Sequence, residues 1–134
     1  MIEEELNKIL DLHKKWLNNP KEGEKADLRD ADLRDADLEG TDLRYVNFSG
    51  ANLRNTDVRD ADLRFTDFKG ADLRKADFEG ADLRNADFLG ADLRDANLRD
   101  VKLEGIKLKG ADINYADFEG AMTFGNYVLR RDKE

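Results

Sequence analysis

A five-residue repeat runs through most of this chain and constrains its fold more than any other feature. From residue 26 to residue 120 the sequence divides into 19 consecutive pentapeptides without an insertion or a deletion. The central residue of each pentapeptide, here called position i, is always Leu, Phe, Val or Ile. A helix would spread these residues around its whole surface, and a flat strand would send them alternately to opposite faces. The chain is therefore expected to turn a corner every five residues.

The other positions of the pentapeptide hold residue types that suit such a corner. Position i−2 is mostly Ala, i−1 is mostly Asp or Asn, and i+1 is mostly charged. Nine of the ten glycines occupy i+2, where a turn can require a positive φ. The Asp or Asn at i−1 can hydrogen-bond its own backbone in a turn. A closed coil with these corners keeps every i residue inside and stacks on further coils as a solenoid.

The repeated words, such as ADLRK at residues 71–75 and ADLRN at residues 81–85, also carry a family resemblance. They resemble the A-(D/N)-L-x-x signature of the pentapeptide-repeat family, and the resemblance covers 95 of the 134 residues. It implies an all-β solenoid, specifically a right-handed quadrilateral β-helix with four pentapeptides in each coil. About five coils, at roughly 4.8 Å each, would form a rod of about 24 Å.

Four pentapeptides per coil sort the i residues into four faces. The predicted first face stacks Leu28, Phe48, Phe68, Phe88 and Leu108; the second Leu33, Leu53, Leu73, Leu93 and Ile113; the third Leu38, Val58, Phe78, Leu98 and Phe118; and the fourth Leu43, Leu63, Leu83 and Leu103. All the Phe residues at position i fall on the first and third faces. We therefore predict that Phe48, Phe68, Phe88, Phe78 and Phe118 form the aromatic part of the core.

The two ends of the chain lie outside the repeat. Apolar residues and one histidine recur at helical spacing in Ile2, Leu6, Ile9, His13, Trp16 and Leu17, which predicts an amphipathic helix over residues 2–17 that ends before Pro20 and lies over the first coil. Residues 1–25 are assigned to this N-terminal capping helix and its linker, 26–120 to the β-helix, and 121–134 to a degenerate C-terminal segment. In that segment, Phe124, Tyr127, Val128 and Leu129 are predicted either to cap the last coil or to form a dimer interface. The chain is expected to be a monomer or a C-terminal homodimer.

The residue inventory argues against catalysis. The chain has no Cys and a single His, so it lacks the parts of a thiol, zinc-thiolate or Ser-His-Asp site. We interpret His13 as a helix residue at the cap or its rim. The Asp residues at i−1 lack the Gly-rich, glutamate-closed loop of a calcium site and are assigned to turn support and solvated surface. The prediction is therefore no enzyme activity, no cofactor and no metal.

A column of four arginines on the second face is the sharpest surface feature. Arg34, Arg54, Arg74 and Arg94 occupy i+1 beside Asp32, Asn52, Asp72 and Asp92 at i−1. Such a column is either a solvated face with ion pairs between coils or a stripe that binds a partner. On the third face, alternation through Glu39, Arg59, Glu79, Arg99 and Glu119 indicates charge complementarity between coils.

Charge and composition also limit the partners and the location. The formal net charge is −8, and an acidic surface disfavours direct nucleic-acid binding. The acidic N-terminus, the absence of Cys and the lack of a long apolar run predict a cytoplasmic protein without a membrane span. We expect a non-catalytic interaction or scaffold protein that binds another protein of unknown identity. The family resemblance implies an alternative, because some members mimic DNA and bind type II topoisomerases such as gyrase, which they protect or inhibit.

Overall fold

The computed structural model describes residues 1–122, which form one helix followed by a stack of four-sided coils. Helix α1 spans Glu3–Asn18, one residue later at both ends than the sequence predicted. Three Glu residues in its first turn and Lys15 in its last turn favour the helix dipole. Asn19 is extended, which is the conformation favoured before proline, so α1 ends ahead of Pro20. Nothing helical in residues 1–122 has the length and apolar character needed to cross a bilayer.

The coils are related by a constant offset of 20 residues. Parallel bridges join each i−1 residue to the i−1 residue of the next coil, from Asp27 with Asn47 to Lys102 with Met122. Twenty residues are four pentapeptides, so the backbone adopts the four-sided register that the family resemblance implied. No bridge between residues 27 and 122 departs from this register.

The extended part of each side is very short. Within residues 1–122 the pairing consists of isolated bridges and not of continuous strands, because a turn follows every i residue. Backbone hydrogen bonds nevertheless tie each pentapeptide to the next coil. In one example, Leu53 N–H donates to the Asp72 carbonyl at 2.7 Å, and Asp72 N–H donates to the Ala51 carbonyl at 2.9 Å. The β-helix is therefore held by many short rungs.

The corners are tight turns with a left-handed residue at i+2. The next pentapeptide closes each turn, as where Ala71 N–H donates to the Phe68 carbonyl at 3.0 Å. Every i+2 residue from 30 to 120 has a positive φ, although 11 of these 19 residues are not Gly. Since the i+1 residues have no positive φ, the pattern is that of a type II turn. This requirement explains why Gly, Asp and Asn dominate at i+2.

The core is the stack of i residues inside the coils. From residue 28 to residue 103 every i side chain is at most 3% exposed. The Phe68 ring stacks on Phe48 and Phe88 with centroid distances of 5.0 and 4.8 Å, and it meets Phe78 edge-on at 6.1 Å. Phe118 is only partly buried, unlike the other four predicted core phenylalanines, because it lies in the last described coil.

Candidate interaction surfaces

The polar residues at i−1 close the turns that follow them. Arg74 N–H donates to Asp72 Oδ1, and Arg54 N–H donates to Asn52 Oδ1, both at 3.3 Å. The same bond recurs along the repeat wherever Asp or Asn occupies i−1 ahead of a turn, which confirms the predicted turn role of these residues. Most of the abundant carboxylates therefore have a structural task.

The predicted arginine stripe is largely neutralised by these same carboxylates. Arg74 donates through Nε to Asp72 Oδ1 at 2.9 Å and through Nη2 to Asp72 Oδ2 at 2.7 Å, and Arg34 and Arg94 make equivalent forks. The hydrogen bonds from Arg74 hold the pKa of Asp72 below its usual range. Counted over i−1 and i+1, the second face carries four Asp and four Arg. The geometry thus favours the solvated ion-pair interpretation, and a binding role for the stripe stays a prediction.

One member of the stripe is paired differently. Arg54 has Asn52 in place of the usual aspartate, so its Nε donates to the amide oxygen at 3.3 Å. Its carboxylate contact is Asp72 Oδ2 of the next coil, at 3.8 Å. The fourth face repeats the Asp–Arg fork at Arg44, Arg64 and Arg84. The sequence analysis did not single out this second column, although the same i−1 and i+1 pattern was present there.

The negative charge of the repeat is concentrated on the third face. We define the acidic face as the i−1 and i+1 residues of that face: Asp37, Glu39, Asp57, Arg59, Asp77, Glu79, Asn97, Arg99, Asp117 and Glu119. Seven carboxylates and two guanidinium groups leave it with a net charge of −5. By the same count the second and fourth faces are neutral and the first carries +1. The acidic face therefore differs from the other three in its charge.

Ion pairs between coils leave the middle of the acidic face least compensated. Arg59 binds Glu39 at 3.3 Å and Arg99 binds Glu119 at 2.7 Å, as the alternating charges predicted. Between these two pairs, Glu79 accepts a bond from the Asn97 amide at 3.4 Å. The two arginines thus neutralise the ends of the face more than its centre.

A cluster of three carboxylates lies at the N-terminal end of the acidic face. Oxygens of Asp37, Glu39 and Asp57 come within 4.8 Å of one another, the spacing of metal ligands. Arg59 donates to Asp57 Oδ2 at 2.7 Å and to Glu39, so a guanidinium group already compensates this cluster. We assign no ion to it.

Three aromatic rings line the corner that follows the fourth face. Tyr45 and Phe65 stack with centroids 5.2 Å apart, and the edge of Trp16 meets Tyr45 at 6.0 Å. Tyr45 and Phe65 are 42% and 48% exposed and adopt left-handed φ angles, which bulky residues rarely do. The stack fastens α1 to the first two coils. Its sequence signal, two aromatics at i+2 exactly one coil apart, was not used in the prediction.

The remaining predicted residues divide between a buried site and an undescribed one. His13 is 1% exposed and lies between α1 and the first coil, in agreement with its interpretation as a residue of the cap. The predicted cap or dimer residues Phe124, Tyr127, Val128 and Leu129 lie outside the described residues.

A solenoid of four-sided coils with a five-residue period defines a class of repeat protein. The family profile for pentapeptide repeats matches residues 24–60, 61–100 and 91–122 with eight copies. The chain belongs to the pentapeptide-repeat family, as the sequence resemblance indicated. A comparison with curated proteins found no match.

Solved structures of other pentapeptide-repeat proteins resemble this chain. One from the thylakoid lumen of Arabidopsis thaliana is 34% identical, with a TM-score of 0.71 over 77% of this chain and 71% of that chain. HetL, involved in heterocyst differentiation regulation in Nostoc sp. strain PCC 7120, is 36% identical over 72% of this chain and 48% of its own, with a TM-score of 0.38. Trypsin-treated QnrB1, a plasmid-mediated fluoroquinolone resistance protein, is 24% identical over 69% and 60%, with a TM-score of 0.39. The likeness of fold rests on the first of these structures.

Proposed function

We propose that this chain is a non-catalytic interaction protein whose acidic face binds a basic surface of a protein partner. One observation carries the proposal. The pentapeptides of residues 26–120 have a net charge of −8, and five of these charges lie on the acidic face. The other three faces together carry +1, and the corners carry the rest. The coil geometry therefore converts a diffuse net charge into one directional surface.

The composition of the acidic face suits electrostatic recognition. Its ten positions hold no apolar residue, so burial of apolar area contributes little to binding there. Carboxylates on neighbouring coils, about 4.8 Å apart, add their potentials and attract a basic surface. The turn bonds also hold Asp37, Asp77 and Asp117 in place before any partner arrives. Such preorganisation lowers the entropy cost of binding.

Neutralising the face without changing the fold tests this proposal. The triple variant Glu39→Gln, Glu79→Gln, Glu119→Gln removes three charges at i+1 side chains. The matched control Asp30→Asn, Asp35→Asn, Asp95→Asn removes three charges from corners off the acidic face, where Asn is compatible with the left-handed turn residue. Crosslinking and capture should recover the same partner with the wild type and the control, and this partner should be lost with the Gln variant and at high salt. Equal recovery with all three proteins would refute a role for the acidic face.

A second candidate function follows from the same face. A rigid rod with one negative face is the shape and charge with which DNA-mimicking members of the family engage a type II topoisomerase. A rod of about 24 Å matches only about 7 base pairs at 3.4 Å each, and no loop interrupts the described coils. This candidate therefore needs more than the charge in its favour, and we rank it second.

A supercoiling assay with purified gyrase, with and without a quinolone, separates the two candidates. If the chain acts as a DNA mimic, micromolar wild-type protein changes supercoiling or quinolone sensitivity, and the Gln variant of the acidic face does not. An unchanged assay with wild-type protein rejects the second candidate and leaves the first to the capture experiment.

We further propose a cytoplasmic location and either a monomer or a C-terminal homodimer. Fractionation of the source cells tests the location, since the relative from the thylakoid lumen makes a lumenal compartment the alternative. Light scattering of the full chain beside the variant Tyr127→Asp, Leu129→Asp tests the dimer. A dimeric mass in the wild type that the variant halves supports pairing through the C-terminal segment, and a monomeric wild type rejects it.

A further inference from the structure

The first coil has an edge that no earlier coil covers. In the interior, the i+1 carbonyls of the fourth face accept bonds from the corner residue of the preceding coil, as where Tyr45 N–H donates to the Arg64 carbonyl at 3.1 Å. The i−2 amides of the first face donate to the preceding pentapeptide, as where Val46 N–H donates to the Leu43 carbonyl at 3.1 Å. The first coil needs substitutes for both kinds of partner.

His13 of α1 supplies both substitutes with one side chain. Ala26 N–H donates to His13 Nδ1 at 3.0 Å, and His13 Nε2 lies 2.9 Å from the Arg44 carbonyl oxygen. An amide N–H can only donate and a carbonyl can only accept, so Nδ1 is unprotonated and Nε2 carries the hydrogen. The neutral imidazole matches both partners. Protonation would place an N–H of the ring against the N–H of Ala26.

The groups around the ring oppose one another. Lys25 and Arg44 repel a positive charge at His13, while the carboxylate of Asp42 and the carbonyl of Arg44 favour it. Burial is the largest influence, and it lowers the pKa of His13 from its ordinary value. On its own helix, the ring also stacks on Trp16 at 5.7 Å.

We propose that His13 is a pH-sensitive lock that holds α1 on the first coil only while the imidazole is neutral. Because the docked state binds the proton more weakly than the free helix, docking is at full strength above the ordinary histidine pKa of about 6.5 and weakens as the pH falls below it. Release of α1 leaves Ala26 N–H and the Arg44 carbonyl without these partners. It also uncovers the core beneath Leu6, which is buried in the docked helix. An uncovered coil edge can pair with another chain.

Amide hydrogen exchange measured by NMR from about pH 7.5 to about pH 5 tests the lock. The readout is the protection factor of Ala26 relative to Ala71, which occupies the same i−2 position in an interior coil and donates to Phe68. We expect this ratio to fall about tenfold or more, in step with His13 protonation and with a midpoint below about 6.5. The fluorescence of Trp16, the only tryptophan, should follow the same curve.

Two variants separate the lock from general acid sensitivity. His13→Gln keeps a donor and an acceptor without titrating, so its ratio should not change with pH. Asp42→Asn retains His13 but removes a charge that favours the imidazolium, so its midpoint should move to lower pH; this variant serves even if His13→Gln does not fold. Titration of His13 with a constant Ala26 ratio, or a wild-type midpoint at or above about 6.5, would overturn the proposal.

Discussion

Truncation of Phe68 to Ala measures how rigidly the coils hold their register. The ring is 1% exposed, stacks between Phe48 and Phe88, and meets Phe78 edge-on. Its loss removes buried apolar surface and leaves a cavity, which costs about 3 to 5 kcal/mol for Phe in other cores. Each of the three ring contacts adds about 0.5 to 1.5 kcal/mol beyond burial, which places the expected loss in the upper part of that range. The neighbouring rings cannot collapse inward, because backbone bonds hold their coils apart.

Urea unfolding followed by circular dichroism measures the free energy lost. The matched control is Phe65→Ala, which removes the same side chain from a half-exposed corner three residues away. We expect the control to lose about 1 kcal/mol or less, because it leaves no enclosed cavity. Equal stability losses in the two variants would refute the four-sided register, since that register alone makes one ring internal and the other external.

Three further predictions concern the corners and the carboxylates. Gly70 has a φ of 66° and free space where a Cβ would lie, so Gly70→Ala should cost about 1 to 2 kcal/mol from backbone strain alone, and Gly70→Asn should cost less; equal melting temperatures for the two variants would contradict this. Asp72→Asn keeps the acceptor for the Arg74 amide, so in denaturant titrations Asp72→Ala should be about 1 kcal/mol less stable than Asp72→Asn, and the reverse order would exclude a turn role for the side chain. Hydrogen bonds from Arg74 and Arg94 lower the pKa values of Asp72 and Asp92, so these carboxylates stabilise the fold above their unfolded pKa of about 3.9. Stability should therefore fall in melts taken below about pH 4, and a pH-independent melting temperature would contradict it.

Core positions were predictable because they depend on a constraint that every pentapeptide repeats. A residue such as Leu73 is apolar, follows Ala and Asp, and precedes a turn, so its inward position follows from local rules. The offset of 20 residues came from the family resemblance and not from the period. Phe118 shows the limit of the rule, because position i implies burial only where another coil stacks on each side.

The surfaces were less predictable because their properties depend on partners distant in sequence. The sequence places Arg74 in a column, but only the side-chain geometry shows that its guanidinium is occupied by Asp72 and lies 3.7 Å from Asp92. The contact between Trp16 and Tyr45 requires α1 to lie on the coils before the two rings can meet. No local pattern encodes that placement.

The sequence by itself determined that the chain turns every five residues, buries the i positions and lacks the residue types of a thiol or triad enzyme. These properties follow from periodicity and inventory, which are local. Only the tertiary structure decided that the arginine stripe is neutralised, that negative charge gathers on the acidic face, and that both nitrogens of His13 are engaged. These properties arise where residues 20 or more positions apart come into contact, because their charges and hydrogen bonds are set by distance in space.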